Sequence, residues 1–207
     1  MKKITSTVVL FVVLTVTAFA QNDARSILNK VNSNLKNIKG ATADFNYSTK
    51  DKNNHNLGAI SGKIALKGNK YFIQQGATQI FCNGQKVWNF NGKDEVNLSD
   101  VDNSSSTLNP QKILSGDFVN RDFTSKLISN QGSVAVVELT PADNRKNFTK
   151  VDITVNKSRS LITKAVVYEK GGNTVLFNLS NINTGVSLPD SKFVFDPKAH
   201  PGVEVID

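Results

Sequence analysis

Chemistry at neutral pH needs nucleophiles, general bases or metal ligands, and this chain of 207 residues carries few of them. It has one cysteine, Cys82, and two histidines, His55 and His200. A single Cys excludes a disulfide framework and any zinc site built only from Cys and His. His55 lies in the turn-rich stretch Lys52-Asn53-Asn54-His55-Asn56, and His200 lies between Ala199 and Pro201. Neither has a nucleophile beside it in sequence, and both read as loop histidines. Cys82 follows Phe81 in a strand-like run, where a small buried thiol is expected rather than a nucleophile. Gly-x-Ser-x-Gly, His-Glu-x-x-His and a Gly-rich phosphate loop are all missing. The residues point away from an enzyme and toward noncovalent work, with no metal and no cofactor expected.

The first 20 residues, MKKITSTVVLFVVLTVTAFA, read as a signal peptide. Lys2 and Lys3 form a positive start, Val8 to Val16 an apolar run, and Ala18-Phe19-Ala20 a small-x-small cleavage site. The run is short beside the roughly 20 apolar residues of a membrane span. Cleavage after Ala20 leaves residues 21–207 as one exported domain in the periplasm. Gln21 follows the cut, where a lipid-anchored protein would need Cys. The five Asn-x-Ser/Thr sites at Asn46, Asn97, Asn103, Asn147 and Asn178 are then chance matches. The chain carries 25 basic and 17 acidic residues; losing Lys2 and Lys3 lowers the balance from +8 to +6. The lysines are spread rather than clustered, which with export argues against a nucleic-acid partner.

The elements that must position any site follow from periodicity. Ile27, Leu28, Val31, Leu35 and Ile38 share one face of a helix, with Asn22 or Asp23 to cap its start and Gly40 at its C-terminal end. After Gly40 the period shifts to 2. Residues 57–68 alternate Gly58, Ile60, Gly62, Ile64 and Leu66 on one side against Ala59, Ser61, Lys63 and Lys67 on the other. Further strands are expected over 70–74, 78–82, 86–90, 95–98, 133–140, 148–156, 161–169 and 174–181. Turn pairs such as Gly68-Asn69, Asn83-Gly84, Asn91-Gly92 and Gly171-Gly172 separate several of them. Short connections imply an antiparallel meander, and about ten strands curl strongly or close. Residues 99–132 read as an insert with short helices at 112–116 and 123–130, Asn109-Pro110 opening the first.

A curved sheet has a hollow that helices must fill, and space left there is an apolar ligand site. Candidates to face it are Phe45, Tyr47, Ile60, Ile64, Tyr71 or Phe72, Trp88, Phe90, Ile153, Phe177 and Leu179, although alternation leaves two faces open for each strand. Gly58 and Gly62 on the apolar face either leave room for a ligand or helix, or relieve curvature.

The order of motifs resembles the LolA family of periplasmic carriers of outer-membrane lipoproteins. The resemblance is carried by Ala43-Asp44-Phe45, by Gly62-Lys63-Ile64-Ala65-Leu66-Lys67 and by Asn83-Gly84 followed by Trp88. Asn109-Pro110-Gln111-Lys112-Ile113-Leu114, Leu139-Thr140-Pro141, Phe193-Val194-Phe195-Asp196-Pro197 and Pro201-Gly202-Val203-Glu204-Val205-Ile206 complete it. It implies an α+β, mainly β fold: an unclosed antiparallel β-barrel covered by an α-helical lid. It implies a carrier that shields acyl chains; the side chains expected to line its cavity are Phe45, Ile60, Ile64, Leu66, Tyr71, Trp88, Phe90, Ile113, Leu114, Ile153 and Phe177, in a protein expected to be a monomer. The implied partners are acylated lipoproteins, an inner-membrane lipoprotein-releasing ABC transporter and, if one exists, an outer-membrane receptor. The family pattern also places an Arg followed by Pro after the second long strand, bonded to the lid; here Lys67 or Gly68 stands there. Lys lacks the planar fork, so an Arg-type lock is not expected. The competing reading keeps the fold but makes the protein a periplasmic lipid- or lipoprotein-sensing regulator.

Overall fold

The computed structural model describes residues 10–101 and 122–207, with side chains from Asp23 onward. One α-helix, α1 (Leu10–Asn37), precedes twelve strands. No Gly or Pro interrupts residues 10–37, so the helix runs through Asn22 and Asp23 instead of starting at a cap there. Ala24, Leu28 and Val31 are fully buried, with Ile27 and Leu35 beside them. This stripe packs on β7 (Phe123–Gln131) and β10 (Leu161–Glu169). Asn34 Nδ2 ties it down by donating to the carbonyls of Arg159 (3.0 Å) and Ser160 (3.2 Å). Gly40 is not the expected helix cap. A Cβ there would lie 2.5 Å from the Val186 carbonyl oxygen and 2.9 Å from the Leu188 side chain, so its glycine serves a close approach of two chain segments.

The strands form one sheet in the order β12-β6-β5-β4-β3-β2-β1-β11-β10-β9-β8-β7, open at β12 and β7. The local hairpins make two meanders. The first holds β1 (Ala41–Lys50), β2 (Asn56–Lys67), β3 (Lys70–Gln75), β4 (Thr78–Cys82), β5 (Lys86–Phe90) and β6 (Glu95–Asp100). The second holds β7, β8 (Val134–Pro141), β9 (Phe148–Asn156), β10 and β11 (Thr174–Thr184). They are not one continuous meander: β1 joins them by pairing with β11, from Ala41↔Thr184 to Lys50↔Thr174. The C-terminal β12 (Glu204–Ile206) adds to β6 in parallel.

Residues 123–130 are not a helix. They belong to β7, whose Phe123, Ser125 and Leu127 turn inward at period 2. Gly132 (φ 54°) and Ser133 make a two-residue turn into β8, and that hairpin gives the segment its hydrogen-bond partner. The helix expected at 112–116 lies outside the described residues.

Over its first meander the sheet is covered on both faces from the end of β2 through β6. The concave side holds the main core, from Leu28 and Val31 of α1 to Ile64, Ile153, Ala165 and Phe177 of the strands. On the convex side of β2–β6 lie Ala65, Phe72, Phe81, Phe90 and Val96. The C-terminal segment crosses this face, burying Phe193 and Phe195 with Leu188 and Val203 alongside. Consecutive apolar residues (Tyr71-Phe72-Ile73, Ile80-Phe81-Cys82) carry this arrangement, since a strand covered on both faces cannot alternate.

Candidate functional site

β1 sends Phe45 and Tyr47 to the concave side, and its neighbour β2 sends Ile60 and Ile64. Ile73 and Gln75 of β3, Ile80 of β4 and Phe177 of β11 complete the wall of a hollow of about 210 Å³. Among the described residues, Gln75 and the Tyr47 phenol are its polar side chains, and no charged group lines it. Phe45 stacks on Phe177 with ring centroids 6.0 Å apart. Phe45 sits opposite Gly62 in register, and its ring fills the space a side chain there would need. Gly62 therefore neither leaves room for a ligand nor simply bends the sheet; it seats an aromatic ring. Gly58, at φ 155°, has open space around it. Tyr47 and Ile60, paired across the strands, are 36% and 37% exposed and form the rim.

A second, tighter hollow of about 20 Å³ lies among Leu35 of α1, Ala43, Ile64, Leu66, Leu161 and Leu179. Ile64 lines both hollows. The larger is below the roughly 300–1,000 Å³ of sites that enclose a whole small molecule.

Phe45, Ile60, Ile64 and Phe177 meet at the larger hollow, and Leu66 at the smaller. Tyr71 and Ile153 belong to the same concave core without lining either space. Trp88 and Phe90 do not come to the hollow. Along β5 it is Val87 that packs on the concave side, which turns Trp88 and Phe90 to the convex cluster under the C-terminal segment. Choosing the bulkier residues of β5 selected the wrong parity. Ile113 and Leu114 lie outside the described residues. Ile73, Gln75 and Ile80 were missed; Ile73 shares the parity of Tyr71, so counting by twos along β3 would have found it.

The described cysteine and histidines stand apart from the hollow. Cys82 is fully buried, receives the Gly84 amide at 3.3 Å and is hydrogen-bonded to Tyr71. Burial pushes its thiol up, away from the reactive thiolate, and pushes the Tyr71 phenol up as well. His55 bonds its Nδ1 to Asp51 at 3.1 Å in the β1–β2 loop, and the His55 amide foremost holds the Asp51 carboxyl below its usual range. His200 stacks on Phe195 with centroids 4.9 Å apart. No group of three or more metal-ligating side chains occurs among the described residues, and no described helix is long and apolar enough to cross a membrane.

Lys67 holds the C-terminal segment. Its Nζ donates to the Leu188 carbonyl at 2.9 Å and pairs with Asp190 at 2.8 Å. Lys70 reaches the other Asp190 oxygen at 2.9 Å. The two ammonium groups bring the Asp190 carboxyl down to about 2.

The family model described as outer membrane lipoprotein carrier protein LolA matches residues 36–196. Among solved structures, an uncharacterized conserved protein from Thermus thermophilus superimposes with a TM-score of 0.61 at 11% identity, over 89% of this chain and 98% of that one. A LolA superfamily protein from Nitrosomonas europaea gives 0.46 at 18% identity, over 83% and 97%. A putative outer membrane lipoprotein-sorting protein domain from Vibrio parahaemolyticus gives 0.44 at 9%, over 84% and 97%. No curated protein matches the sequence.

Proposed function

This chain belongs to the LolA family of outer membrane lipoprotein carrier proteins, and from that premise we propose that it carries acylated lipoproteins across the periplasm. The observation that supports this most directly is the uncharged hollow walled by Phe45, Ile60, Ile64 and Phe177. Each methylene moved from water into such a site contributes about 0.8 kcal/mol, so one long acyl chain is held by roughly 10 kcal/mol or more. No bond to the cargo is needed, and release is the reverse of burial. The small resting volume fits a carrier that opens to load and closes when empty, rather than one with a rigid slot.

The rest of the reading follows the compartment. The leader is cleaved after Ala20 on export. An inner-membrane ABC transporter supplies the lipoprotein and an outer-membrane acceptor receives it. The carrier works without a cofactor.

The test is release. Spheroplasts making an acylated lipoprotein are incubated with the purified mature protein. The reading expects the lipoprotein in the soluble fraction, bound to the carrier. If a known carrier releases it and this protein does not, the reading fails. N-terminal sequencing of the exported protein should begin at Gln21.

A further inference from the structure

Strand β2 is longer than the strand that follows it. It pairs with β1 along almost its whole length, from Leu66 to Asn56. It pairs with β3 only over Lys63–Lys67. Among the described residues, no strand pairs with the β3-facing edge of residues 56–62, and residues 56–61 are all exposed.

Alternation says which groups stand on that edge. Gly68 and Asn69 make a two-residue turn between Lys67 and Lys70, so that pair exchanges hydrogen bonds. Counting back by twos, Ala65, Lys63, Ser61 and Ala59 aim their amides and carbonyls toward β3. For Ser61 and Ala59, β3 is no longer there. The residues between them point the other way in both respects: Ile60 bonds toward β1 and puts its side chain on the rim of the apolar hollow. The open backbone edge and the mouth of the cavity are thus two sides of the same three residues.

Proteins usually blunt such an edge with charge or proline. Residues 57–62, Leu-Gly-Ala-Ile-Ser-Gly, contain neither. We propose that this edge is a docking rail for an extended peptide: the polypeptide segment attached to the acyl chain adds to β2 as a strand while the hydrocarbon enters beside Ile60. Backbone pairing reads no sequence, so it suits a carrier of many cargoes. The proposal rests on the carrier reading for the identity of the ligand, because a chain leaving the hollow past Ile60 and Tyr47 emerges along this edge.

Two probes separate the proposal from the reading beneath it: a fluorescent long-chain fatty acid, and the same chain linked to a short, neutral, extended peptide. Ser61→Pro and Ala59→Pro each remove one edge amide and leave the β1 backbone ladder and the cavity-wall side chains in place; Ser61→Pro also removes the hydrogen bond that Asn46 Nδ2 of β1 donates to Ser61 Oγ at 3.0 Å, so Ala59→Pro is the cleaner of the two. We expect both variants to bind the fatty acid like the native protein and the lipopeptide about tenfold more weakly, the loss of one or two net hydrogen bonds. In the native protein, the lipopeptide and not the fatty acid should slow hydrogen exchange at the Ala59 and Ser61 amides; this measurement needs no variant to fold. Equal lipopeptide binding by the variants, or unchanged exchange at both amides, overturns the rail and leaves the carrier reading intact. If the native protein binds neither probe, both fall. Protection of these amides by self-association without ligand would also overturn the proposal, assigning the edge to a second copy of this chain.

Discussion

Gly62→Ala should be unusually costly for so small a change. In an ordinary strand the substitution stabilises by about 0.4–1 kcal/mol, because Ala has fewer unfolded conformations to lose. Here the new Cβ would lie 2.7 and 2.8 Å from two atoms of the Phe45 ring and 2.1 Å from the Gln74 carbonyl oxygen. A rotamer change can move the ring but not the carbonyl. Overpacking of this kind costs about 1–3 kcal/mol, and the backbone contact puts the site at the upper end. The net expectation is a loss of about 2 kcal/mol, or roughly 4–8 °C in Tm for a chain of this size. The assay is thermal melting by circular dichroism with a urea curve alongside, the midpoint falling and the slope unchanged. The ring should also swing into the hollow it now walls, so an apolar dye should bind less well. Phe45→Ala made alone and with Gly62→Ala supplies the cycle: the double variant should be less damaged than the sum by about 1 kcal/mol, since the ring clash is gone while the carbonyl clash stays. A Gly62→Ala protein as stable as the native one would refute the reasoning, because it would mean the ring does not need that space.

Three further outcomes are expected. Ile60→Asp should leave Tm nearly unchanged, since the side chain is already 37% exposed, and should weaken binding of a fluorescent fatty acid roughly tenfold by placing a charge on the rim; undiminished binding would show that hydrocarbon does not pass there. The Asp190 carboxyl is lowered from 3.8 to about 2 by Lys67 and Lys70, so its ion pairs stabilise fully above about pH 4 and are lost as the pH falls toward 2. The single Trp88 packs with the convex cluster beneath the C-terminal segment, so its fluorescence should shift over that interval in the native protein and lose this step in Asp190→Asn. Cys82, fully buried and with its thiol pushed up, should resist thiol reagents at pH 8 until denaturant is added; rapid labelling of folded protein would contradict its burial.

The legible parts were those where one physical signal dominated. The α1 stripe was readable because Leu28, Val31 and Leu35 had nowhere else to go, and most strand limits because Asn-Gly and Gly-Gly turns punctuate them. β7 was misread because its inward set, Phe123, Ser125 and Leu127, includes a polar member, which spoils the period-2 pattern. The misplacement of Trp88 and Phe90 has a different cause. On a strand apolar on both sides, size does not say which face is which; only the partner layer does. That layer is the C-terminal segment, which is short of regular structure and gave no sign in its periodicity that it covers a sheet. Lys67 has its partner Asp190 more than a hundred residues away, and only the fold brings them together.

The seam between β1 and β11 has a consequence for how the molecule comes into being. β1–β6 form by neighbouring hairpins, and so do β7–β11; their loops are short and their closure entropy small. The seam pairs Ala41 with Thr184, among the longest separations in the chain. Contacts of high sequence separation are made late and set the folding rate. As the chain emerges N-terminus first, β1 gains β2 early and then waits, one edge bare, until β11 arrives. The central strand of the finished sheet is thus a terminal strand for most of its assembly, and the interval before β11 is available is when this protein is most open to joining the wrong partner.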